Sequence, residues 1–198
     1  MFGASRMEAS SKAAIRKQIR QSLVAIPPAE RTALSQKLYH VLRQQPAWRN
    51  ATSILGFAPL FTEPDVMPLL EEAWRANKRV ALPRYDTETS VYAACTVGNH
   101  AEMSMGRFGV LEPMEGCPVV PLNQLDFILV PGVAFDLAGR RLGRGKGFYD
   151  RLLAEVRGHK CGVVFDAQLV AEVPEEPHDI RVDSILTPTR WHLCPRVA

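Results

Sequence analysis

A short run of glycines and basic residues is the part of the sequence best suited to chemistry. Residues 139–151 read GRRLGRGKGFYDR, so Gly143, Gly145 and Gly147 alternate with cations, and a single carboxylate, Asp150, follows. Glycines let backbone N–H groups approach an anion closely, and the cations neutralise phosphate charge. A lone aspartate among cations is suited to Mg²⁺. This glycine-basic run therefore predicts a site for a nucleoside triphosphate.

The common glycine motifs for phosphate do not match the glycine-basic run. A Walker A loop needs glycine five residues before Gly145 and Ser or Thr after Lys146, but Arg140 and Gly147 occupy those positions. A dinucleotide fingerprint needs its third glycine five residues after its first, whereas these glycines are two residues apart. From the residues alone, a surface turn with solvated charges stays an alternative.

Composition limits the class of protein. With 198 residues, 46% of them hydrophobic, the chain can build one compact domain over residues 1–198. Residues 1–12 lack a signal-peptide pattern, no apolar run is long enough to span a bilayer, and the four cysteines lack zinc-finger spacing. A net charge of +3 is too small to indicate nucleic-acid binding. We expect a cytoplasmic protein that binds neither membrane nor nucleic acid.

The first part of the chain has the pattern of two helices. Apolar residues recur at helical spacing over 15–26 and again over 34–42. Pro27 and Pro28 separate the two patterns, and Pro28 suits the first turn of a helix. The sequence therefore predicts a helical pair within a helical part of about residues 8–46.

The remainder of the chain alternates strands with helices. Helices are predicted from about Pro64 and over about 147–156, and the predicted strands are 53–57, 79–83, 91–96, 127–130, 161–165 and 184–186. This alternation over about residues 52–190 predicts an α/β fold, a three-layer α/β/α domain with a mostly parallel central sheet. Ligands of such sheets bind beyond the carboxyl ends of strands, and the glycine-basic run follows strand 127–130.

Further motifs accompany the glycine-basic run along the whole chain. They are Lys12 and Arg16 near the start, FAPLFTE at 57–63, PRY at 83–85, FGVLEP at 108–113, PGVAFD at 131–136, RLGRGKGFYD at 141–150 and PHDIRVD at 177–183. In this combination the sequence resembles the 5-formyltetrahydrofolate cyclo-ligase family, also called methenyltetrahydrofolate synthetase.

The resemblance implies an enzyme of folate metabolism. Members of that family use ATP and Mg²⁺ to convert 5-formyltetrahydrofolate into 5,10-methenyltetrahydrofolate, and they release ADP and phosphate. In the implied mechanism the γ-phosphoryl group passes to the formyl oxygen, and N10 then attacks the resulting imino-phosphate. Phosphoryl transfer depends mainly on positioning and charge neutralisation, so cations matter more than a nucleophile. The expected partners are small molecules, and we expect a monomer.

The resemblance also implies roles for individual residues. Arg144 and Lys146 are the expected catalytic residues, and Asp150 and Asp183 the expected ligands of Mg²⁺. The expected ATP-binding residues are Lys12, Arg16, Arg141, Leu142, Gly143, Arg144, Gly145, Lys146, Gly147, Phe148 and Tyr149. The expected folate-binding residues are Glu63, Tyr85, Phe108, Arg144, Gly145, Lys146, Gly147 and Phe148.

Simpler interpretations of the charged residues stay open without the resemblance. Lys12 and Arg16 stand at i and i+4 and can face one anion, but basic residues on helices commonly face solvent. Asp150 and Asp183 also suit a helix surface and a turn, and Glu63 suits a helix start.

The aromatic residues and the histidine also have simpler interpretations. Tyr85 and Phe108 can stack on a flat ring or pack in the core. Phe108 and Phe148 stand where the family often has a more polar aromatic residue, so a ring is kept and a polar group is lost. His178 is expected to be a structural histidine, because the mechanism needs no strong base.

Two other functions stay open for the whole protein. A noncatalytic folate or nucleotide sensor would keep the pocket without turnover, although a binder has less need of two metal carboxylates. RNA binding through the glycine-basic run would show a steep dependence on salt, but no RNA-recognition motif accompanies the run.

Overall fold

The chain begins with two helices that are separated at the predicted prolines. The structure is a computed structural model that describes residues 11–106, 109–145 and 147–195, with Phe148 described by its backbone alone. Ser11 Oγ caps the first helix by accepting a hydrogen bond from Ala14 N at 3.2 Å, and Pro28 opens the second. The helices of the described residues are α1 (Lys12–Ala25), α2 (Pro28–Arg43), α3 (Pro46–Asn50), α4 (Met67–Arg75) and α5 (Phe148–Glu155).

A mixed sheet forms the centre of the fold. Its strands and two short hairpins are β1 (Ser53–Leu55), β2 (Arg79–Asp86), β3 (Val91–Thr96), β4 (Met103–Met105), β5 (Leu111–Pro113), β6 (Val119–Val120), β7 (Phe127–Val130), β8 (Ala134–Phe135), β9 (Arg141–Leu142), β10 (His159–Val163), β11 (Ser184–Leu186) and β12 (Trp191–Leu193). The central sheet has the order β12-β11-β10-β7-β1-β2-β3-β6, and β4-β5 and β8-β9 pair separately. The five central strands β11, β10, β7, β1 and β2 pair in parallel. The outer strands β12, β3 and β6 form antiparallel pairs. The predicted mostly parallel sheet is confirmed.

The observed bounds of one helix and three strands differ from the predicted bounds. The first strand ends at Leu55 rather than at residue 57, whereas β2 continues to Asp86 because it forms a hairpin with β3. The helix predicted from Pro64 begins at Met67 instead, where Asp65 Oδ1 accepts a hydrogen bond from Met67 N at 3.0 Å. Strand β10 covers His159–Val163 rather than residues 161–165.

Helices cover both faces of the sheet because successive strand residues point to opposite sides. On one face Ile54 and Phe127 pack with the apolar residues of α2, α3 and α4. On the other face Leu55 and Ile128 pack with Leu152, Leu153 and Val156 of α5 and the residue that follows it. This arrangement gives the three layers that the sequence predicts.

Helix α1 packs on the β8-β9 hairpin. Ile15, Ile19 and Leu23 bury their side chains with Ala134 and Leu142 of that hairpin. This packing brings the first turns of α1 beside the glycine-basic run, which continues from β9. None of the helices in the described ranges is long and apolar enough to cross a bilayer.

Candidate active site

A groove of about 690 Å³ lies beyond the carboxyl ends of the parallel strands. Its lining includes Phe57 and Ala58, which follow β1, and Pro131 and Gly132, which follow β7. The charged and aromatic residues that line it are Lys12, Arg16, Glu63, Tyr92, Glu112, Arg141, Arg144, Tyr149, Asp150, Glu176, His178 and Asp179. The groove therefore occupies the position expected for the ligand of a parallel sheet.

The β8-β9 hairpin delivers Arg141 to the groove. Its turn is fixed by Asp136, which is 1% exposed. The Asp136 carboxylate accepts hydrogen bonds from Ala138 N at 3.0 Å, Arg140 N at 3.2 Å and Val173 N at 2.8 Å. Because backbone donors from two segments hold this carboxylate, the strand that follows it has a defined direction.

Arg141 and Asp150 form a buried ion pair at the base of the glycine-basic run. Arg141 Nη2 donates to Asp150 Oδ1 at 2.5 Å, and the two side chains are 3% and 15% exposed. A Cβ added to Gly143 would lie 2.9 Å from Arg141 Nη1, so the absence of a side chain there leaves room for the guanidinium. Arg141 Nε is buried and has no hydrogen-bond partner among the described residues. The pair thus holds a buried arginine cation beside the groove.

The glycines of the run adopt a backbone conformation that other residues rarely adopt. Gly145 has φ +98° and Gly147 has φ +63°, and Gly147 is the residue before α5. Arg16 Nε donates to Gly143 O at 2.9 Å, so α1 is attached to the run. Leu142, one of the predicted ATP-binding residues, is 1% exposed and packs in the core beneath the run.

Lys12 lies between two carboxylates of the segment 174–183. Its Nζ donates to Glu176 Oε1 and to Asp179 Oδ2, each at 2.9 Å. Burial lowers the pKa of Lys12, but the hydrogen bonds to Glu176 and Asp179 outweigh burial and raise the pKa above its ordinary value. Burial raises the pKa of Asp179, whereas the hydrogen bonds from Lys12 Nζ and Glu176 N lower it below its ordinary value. Lys12 and Asp179 are therefore both charged at neutral pH.

His178, which the sequence predicts to be a structural histidine, belongs to the same segment. Its side chain is 67% exposed at the groove. His178 Nε2 lies 3.6 Å from Glu176 Oε2 and 3.8 Å from Asp179 Oδ1. These distances are longer than a hydrogen bond, so neither carboxylate orients the ring as a base.

Glu63 and Arg144 form an ion pair across the groove. Arg144 Nη2 donates to Glu63 Oε1 at 2.9 Å, and Leu60 N donates to Glu63 Oε2 at 2.9 Å. The Glu63 side chain is 8% exposed and that of Arg144 is 57% exposed. The structure therefore joins an expected folate ligand to an expected phosphate ligand.

Tyrosine side chains form a row beside the charged part of the groove. The ring centroids of Tyr149 and Tyr92 are 6.5 Å apart, and those of Tyr92 and Tyr85 are 5.4 Å apart. Burial raises the pKa of Tyr92 and Tyr149, so both are neutral phenols. Tyr92 and Tyr149 line the groove, and Tyr85 packs against Tyr92.

Three of the expected site residues lie wholly or partly outside the described residues. Lys146 and Phe108 are not described, and Phe148 is described only as the first residue of α5. Their predicted roles stay predictions. The remaining expected ligands of ATP, Lys12, Arg16 and 141–145 with Gly147 and Tyr149, all lie along the groove.

Asp183 is the expected site residue that the structure places elsewhere. It precedes β11, and its Oδ2 accepts a hydrogen bond from Lys160 N, near the start of β10, at 2.7 Å. Because β10 and β11 are parallel, this position lies at the amino ends of the strands, on the opposite side of the sheet from the groove. We call this side the amino edge, and the side with the groove the carboxyl edge. This corrects the expectation that Asp150 and Asp183 converge on one metal ion.

The groove residues that sequence reasoning missed include Tyr92, Glu112 and Asp179. Glu112 belongs to the motif FGVLEP and Asp179 to the motif PHDIRVD, so the motifs held both without showing which carboxylate faces the groove. Tyr92 lies in no motif. Only the antiparallel pairing of β2 with β3, in which Tyr92 stands opposite Tyr85, indicates its place.

The fold and the groove define an α/β protein with one groove lined by both cations and tyrosines. The family model of the 5-formyltetrahydrofolate cyclo-ligase family matches residues 8–188. The chain belongs to this family of enzymes.

Individual relatives extend over nearly the same length. The chain is 34% identical over 184 residues to 5-formyltetrahydrofolate cyclo-ligase of Escherichia coli K12, an alignment of 87% of this chain and 97% of that protein. It is 31% identical over 195 residues to the Mycolicibacterium smegmatis protein of the same name, over 93% and 97% of the two chains. The NMR structure of Aquifex aeolicus 5,10-methenyltetrahydrofolate synthetase superposes with a TM-score of 0.84 at 34% identity, covering 94% of each chain.

Proposed function

We propose that the protein is an ATP- and Mg²⁺-dependent cyclo-ligase that converts 5-formyltetrahydrofolate into 5,10-methenyltetrahydrofolate and releases ADP and phosphate. One observation carries this proposal: a single groove combines basic residues with tyrosines and a partly buried glutamate. A triphosphate and a pterin ring can therefore bind next to each other. Membership of the cyclo-ligase family supports the same assignment.

ATP is assigned to the basic part of the groove. Its proposed ligands are Lys12, Arg16 and residues 141–149, and Arg144 and Lys146 are the proposed catalytic cations. The guanidinium of Arg141 supports this assignment, because Arg141 lines the groove and a guanidinium is suited to phosphate oxygens. Arg144 reaches the groove from its exposed rim and can follow the phosphoryl group as charge moves.

The carboxylates of the groove fit a magnesium ion bound with phosphate. Among the described residues, no group of three or more His, Cys, Asp or Glu side chains could hold a metal by itself. Asp150 and Asp179, both 15% exposed, would each supply oxygen ligands, and Mg²⁺ typically adds phosphate oxygens and water to one or two carboxylates. The ion would neutralise charge on the transferred phosphoryl group. Asp183 has no part in this site.

The folate is assigned to the tyrosine part of the groove. Glu63, Tyr85 and Phe108 are its proposed ligands, together with residues 144–148 of the glycine-basic run. Tyr92 supplies the face on which a flat ring can stack, with Tyr85 supporting it from behind. A glutamate carboxylate suits the N–H donors of a pterin.

The proposed chemistry needs position and charge more than a protein nucleophile. The formyl oxygen attacks the γ-phosphorus, the bond to ADP breaks, and N10 then attacks the activated formyl carbon. This attack closes the ring, phosphate then leaves with the former formyl oxygen, and N10 releases its proton to water. The residues of the groove hold the two substrates in line and stabilise the oxygens on which charge develops.

The test is a turnover assay that follows the absorbance of 5,10-methenyltetrahydrofolate. We expect product only when 5-formyltetrahydrofolate, ATP and Mg²⁺ are all present, with one ADP formed per product. A folded preparation that binds 5-formyltetrahydrofolate without turnover would instead support the noncatalytic sensor. Retention of full kcat/KM by Lys146→Ala would remove Lys146 from the mechanism.

We further propose that the chain is one domain and works as a cytoplasmic monomer on small molecules alone. The sheet carries strands from Ser53 to Leu193, so the elements before and after the glycine-basic run share one core. Size-exclusion chromatography with light scattering tests the monomer, because a dimer would double the mass.

A further inference from the structure

Glu112 is a groove carboxylate to which the proposed mechanism gives no role. It lies in β5, is 8% exposed and lines the groove. The sequence motif FGVLEP contains it, but the resemblance assigns no function to it. A buried carboxylate that faces a substrate groove needs hydrogen-bond donors to offset the loss of water.

The carboxylate of Glu112 is held in a fixed position. Its Oε2 accepts a hydrogen bond from Tyr85 N, in β2, at 3.0 Å. A Cβ added to Gly106 would lie 2.4 Å from Glu112 Cδ and 2.8 Å from Oε1, so the glycine backbone rests directly against the carboxylate. The hydrogen bond from Tyr85 N and the close approach of Gly106 together hold the carboxylate in this position.

The partners of the groove carboxylates differ. Glu63 has a described donor on each oxygen, and one of these donors is the cation of Arg144. Glu112 forms no ion pair with any cation of the described residues, and Arg84, which precedes Tyr85, donates its Nη1 to Met114 O instead. Glu112 therefore brings to the groove a charge that protein side chains of the described ranges do not neutralise.

The surroundings of Glu112 indicate the kind of ligand. Glu112 lies close to the ring on which a flat ligand would stack, because Tyr92 stands opposite Tyr85 in the hairpin and Tyr85 N donates to Glu112 Oε2. Burial raises the pKa of Tyr92, and the charge of Glu112 raises it further. The charge of Glu63 acts in the same way on Tyr149, at the other member of the tyrosine pair. A ring that covers both tyrosines would thus present one edge to each glutamate.

We propose that Glu112 is a substrate-binding residue that accepts hydrogen bonds from N–H groups of the folate's pterin ring. This inference rests on the proposed function. The ring has adjacent N–H donors at its 2-amino group and N3, and its reduced form has another at N8. It can therefore donate hydrogen bonds to two carboxylates at once. Glu112 then determines specificity for a reduced, amino-substituted ring.

The test combines a residue change with a ligand change. The probes are 5-formyltetrahydrofolate, its analogue without the 2-amino group and its analogue with CH₂ in place of N8–H, and calorimetry measures their Kd values without ATP. We expect Glu112→Gln to weaken 5-formyltetrahydrofolate about tenfold or more, because a charged acceptor is lost. Glu112→Gln should bind one of the two analogues at least as tightly as it binds 5-formyltetrahydrofolate. The wild-type protein should bind that same analogue more weakly than 5-formyltetrahydrofolate.

Matched controls separate binding from folding. Glu115→Gln makes the same change at an exposed residue outside the groove and should leave all three Kd values unchanged. Glu112→Gln keeps an oxygen for Tyr85 N, and its Kd for ADP should equal that of the wild-type protein. If it fails to fold, Glu112→Asp, which keeps the charge but withdraws it from the ligand, replaces it in the same titrations.

The outcomes distinguish the inference from the proposed function. Unchanged affinity in the variant, or a loss of affinity with full discrimination against both analogues, would overturn the role of Glu112. Failure of the wild-type protein to bind 5-formyltetrahydrofolate would overturn the proposed function itself.

Discussion

The two edges of the central sheet carry aspartates and glutamates that serve different purposes. At the amino edge a second depression, of about 580 Å³, contains Asp126, whose Oδ2 accepts hydrogen bonds from Thr52 N, Thr52 Oγ1 and Ser53 N at 2.7–2.9 Å. Asp183 at the same edge accepts from Lys160 N. At the carboxyl edge, Glu63, Asp150 and Asp179 are instead paired with side-chain cations.

The kind of partner explains the difference between the edges. Backbone N–H groups of strand ends cannot move to a ligand without breaking the sheet, so the amino-edge carboxylates stabilise the fold. Lysine and arginine side chains can exchange a carboxylate for a phosphate by changing rotamers. The carboxyl-edge ion pairs are therefore able to open when substrates bind. The carboxylate in the amino-edge depression, which has a similar volume, cannot release its backbone donors in this way.

The largest expected effect distinguishes two aspartates only four residues apart. We expect Asp179→Asn to lower kcat/KM roughly 100-fold and to raise the Mg²⁺ concentration needed for half-maximal rate, because a metal and phosphate ligand is lost. The same change at Asp183 should leave kcat/KM within about twofold and lower the free energy of unfolding by about 1 kcal/mol. Magnesium titrations of the rate and chemical denaturation measure both effects.

The opposite pattern would reverse the assignment of the two edges. Full activity of Asp179→Asn together with loss of the magnesium dependence in Asp183→Asn would return the metal to Asp183. A variant that is unfolded by circular dichroism gives no rate to compare, so stability is measured first.

A smaller effect is expected on stability from Asp126. The hydrogen bond from the Thr52 hydroxyl, with further bonds from Thr52 N, Ser53 N and the Ser53 side chain, lowers the pKa of Asp126 from 3.8 to about 2. Because its folded pKa is depressed, Asp126 contributes stability that is present above pH 3.8 and is lost as the pH falls toward about 2. Asp126→Ala should lower the free energy of unfolding at neutral pH by about 1–2 kcal/mol, since the site is open to screening water.

Denaturation at a series of pH values measures this contribution. The difference in unfolding free energy between the wild-type protein and Asp126→Ala should shrink as the pH falls below 3.8. A difference that stays constant over that range would show that the charge of Asp126 has no part in it. Activity at neutral pH should be unchanged, because the residue is outside the groove.

The smallest expected effect concerns the Glu63–Arg144 pair of the groove. Glu63→Gln removes the ion pair and frees Arg144 for phosphate, so ADP should bind about two- to fivefold more tightly in the absence of folate. Glu72→Gln, which removes the exposed pair between Glu72 and Arg43, is the matched control and should leave the Kd for ADP unchanged. Calorimetry gives both Kd values. Unchanged or weaker ADP binding by Glu63→Gln would show that the pair does not compete with phosphate.

The outline of the site could be read from the sequence because its residues lie close together in the chain. The glycine-basic run supplies Arg141, Arg144 and Asp150 within ten positions, and Gly145 and Gly147 have the positive φ that glycine permits. Lys12 and Arg16 face the groove together because they are one helical turn apart.

Residues that share one motif can nevertheless face opposite edges of the sheet. Asp179 and Asp183 both belong to PHDIRVD, and their types and spacing do not distinguish a groove ligand from a strand cap. Between these two residues the segment passes from the carboxyl edge to the amino edge of the sheet. Its end is held there by hydrogen bonds from Val182 N to Gly139 O and from Asp183 N to Lys160 O. That path depends on packing between distant segments, and a local pattern does not contain it.

By itself the sequence determined the elements with strong periodicity, the mostly parallel sheet and the cationic loop, because local spacing and glycine conformations are properties of neighbouring residues. Only the tertiary structure decided which carboxylates share the groove. It placed Glu112 and Tyr92 there, paired Glu63 with Arg144 and moved Asp183 to the far edge. These outcomes depend on strand order and on the antiparallel hairpin of β2 and β3, which join residues far apart in the chain.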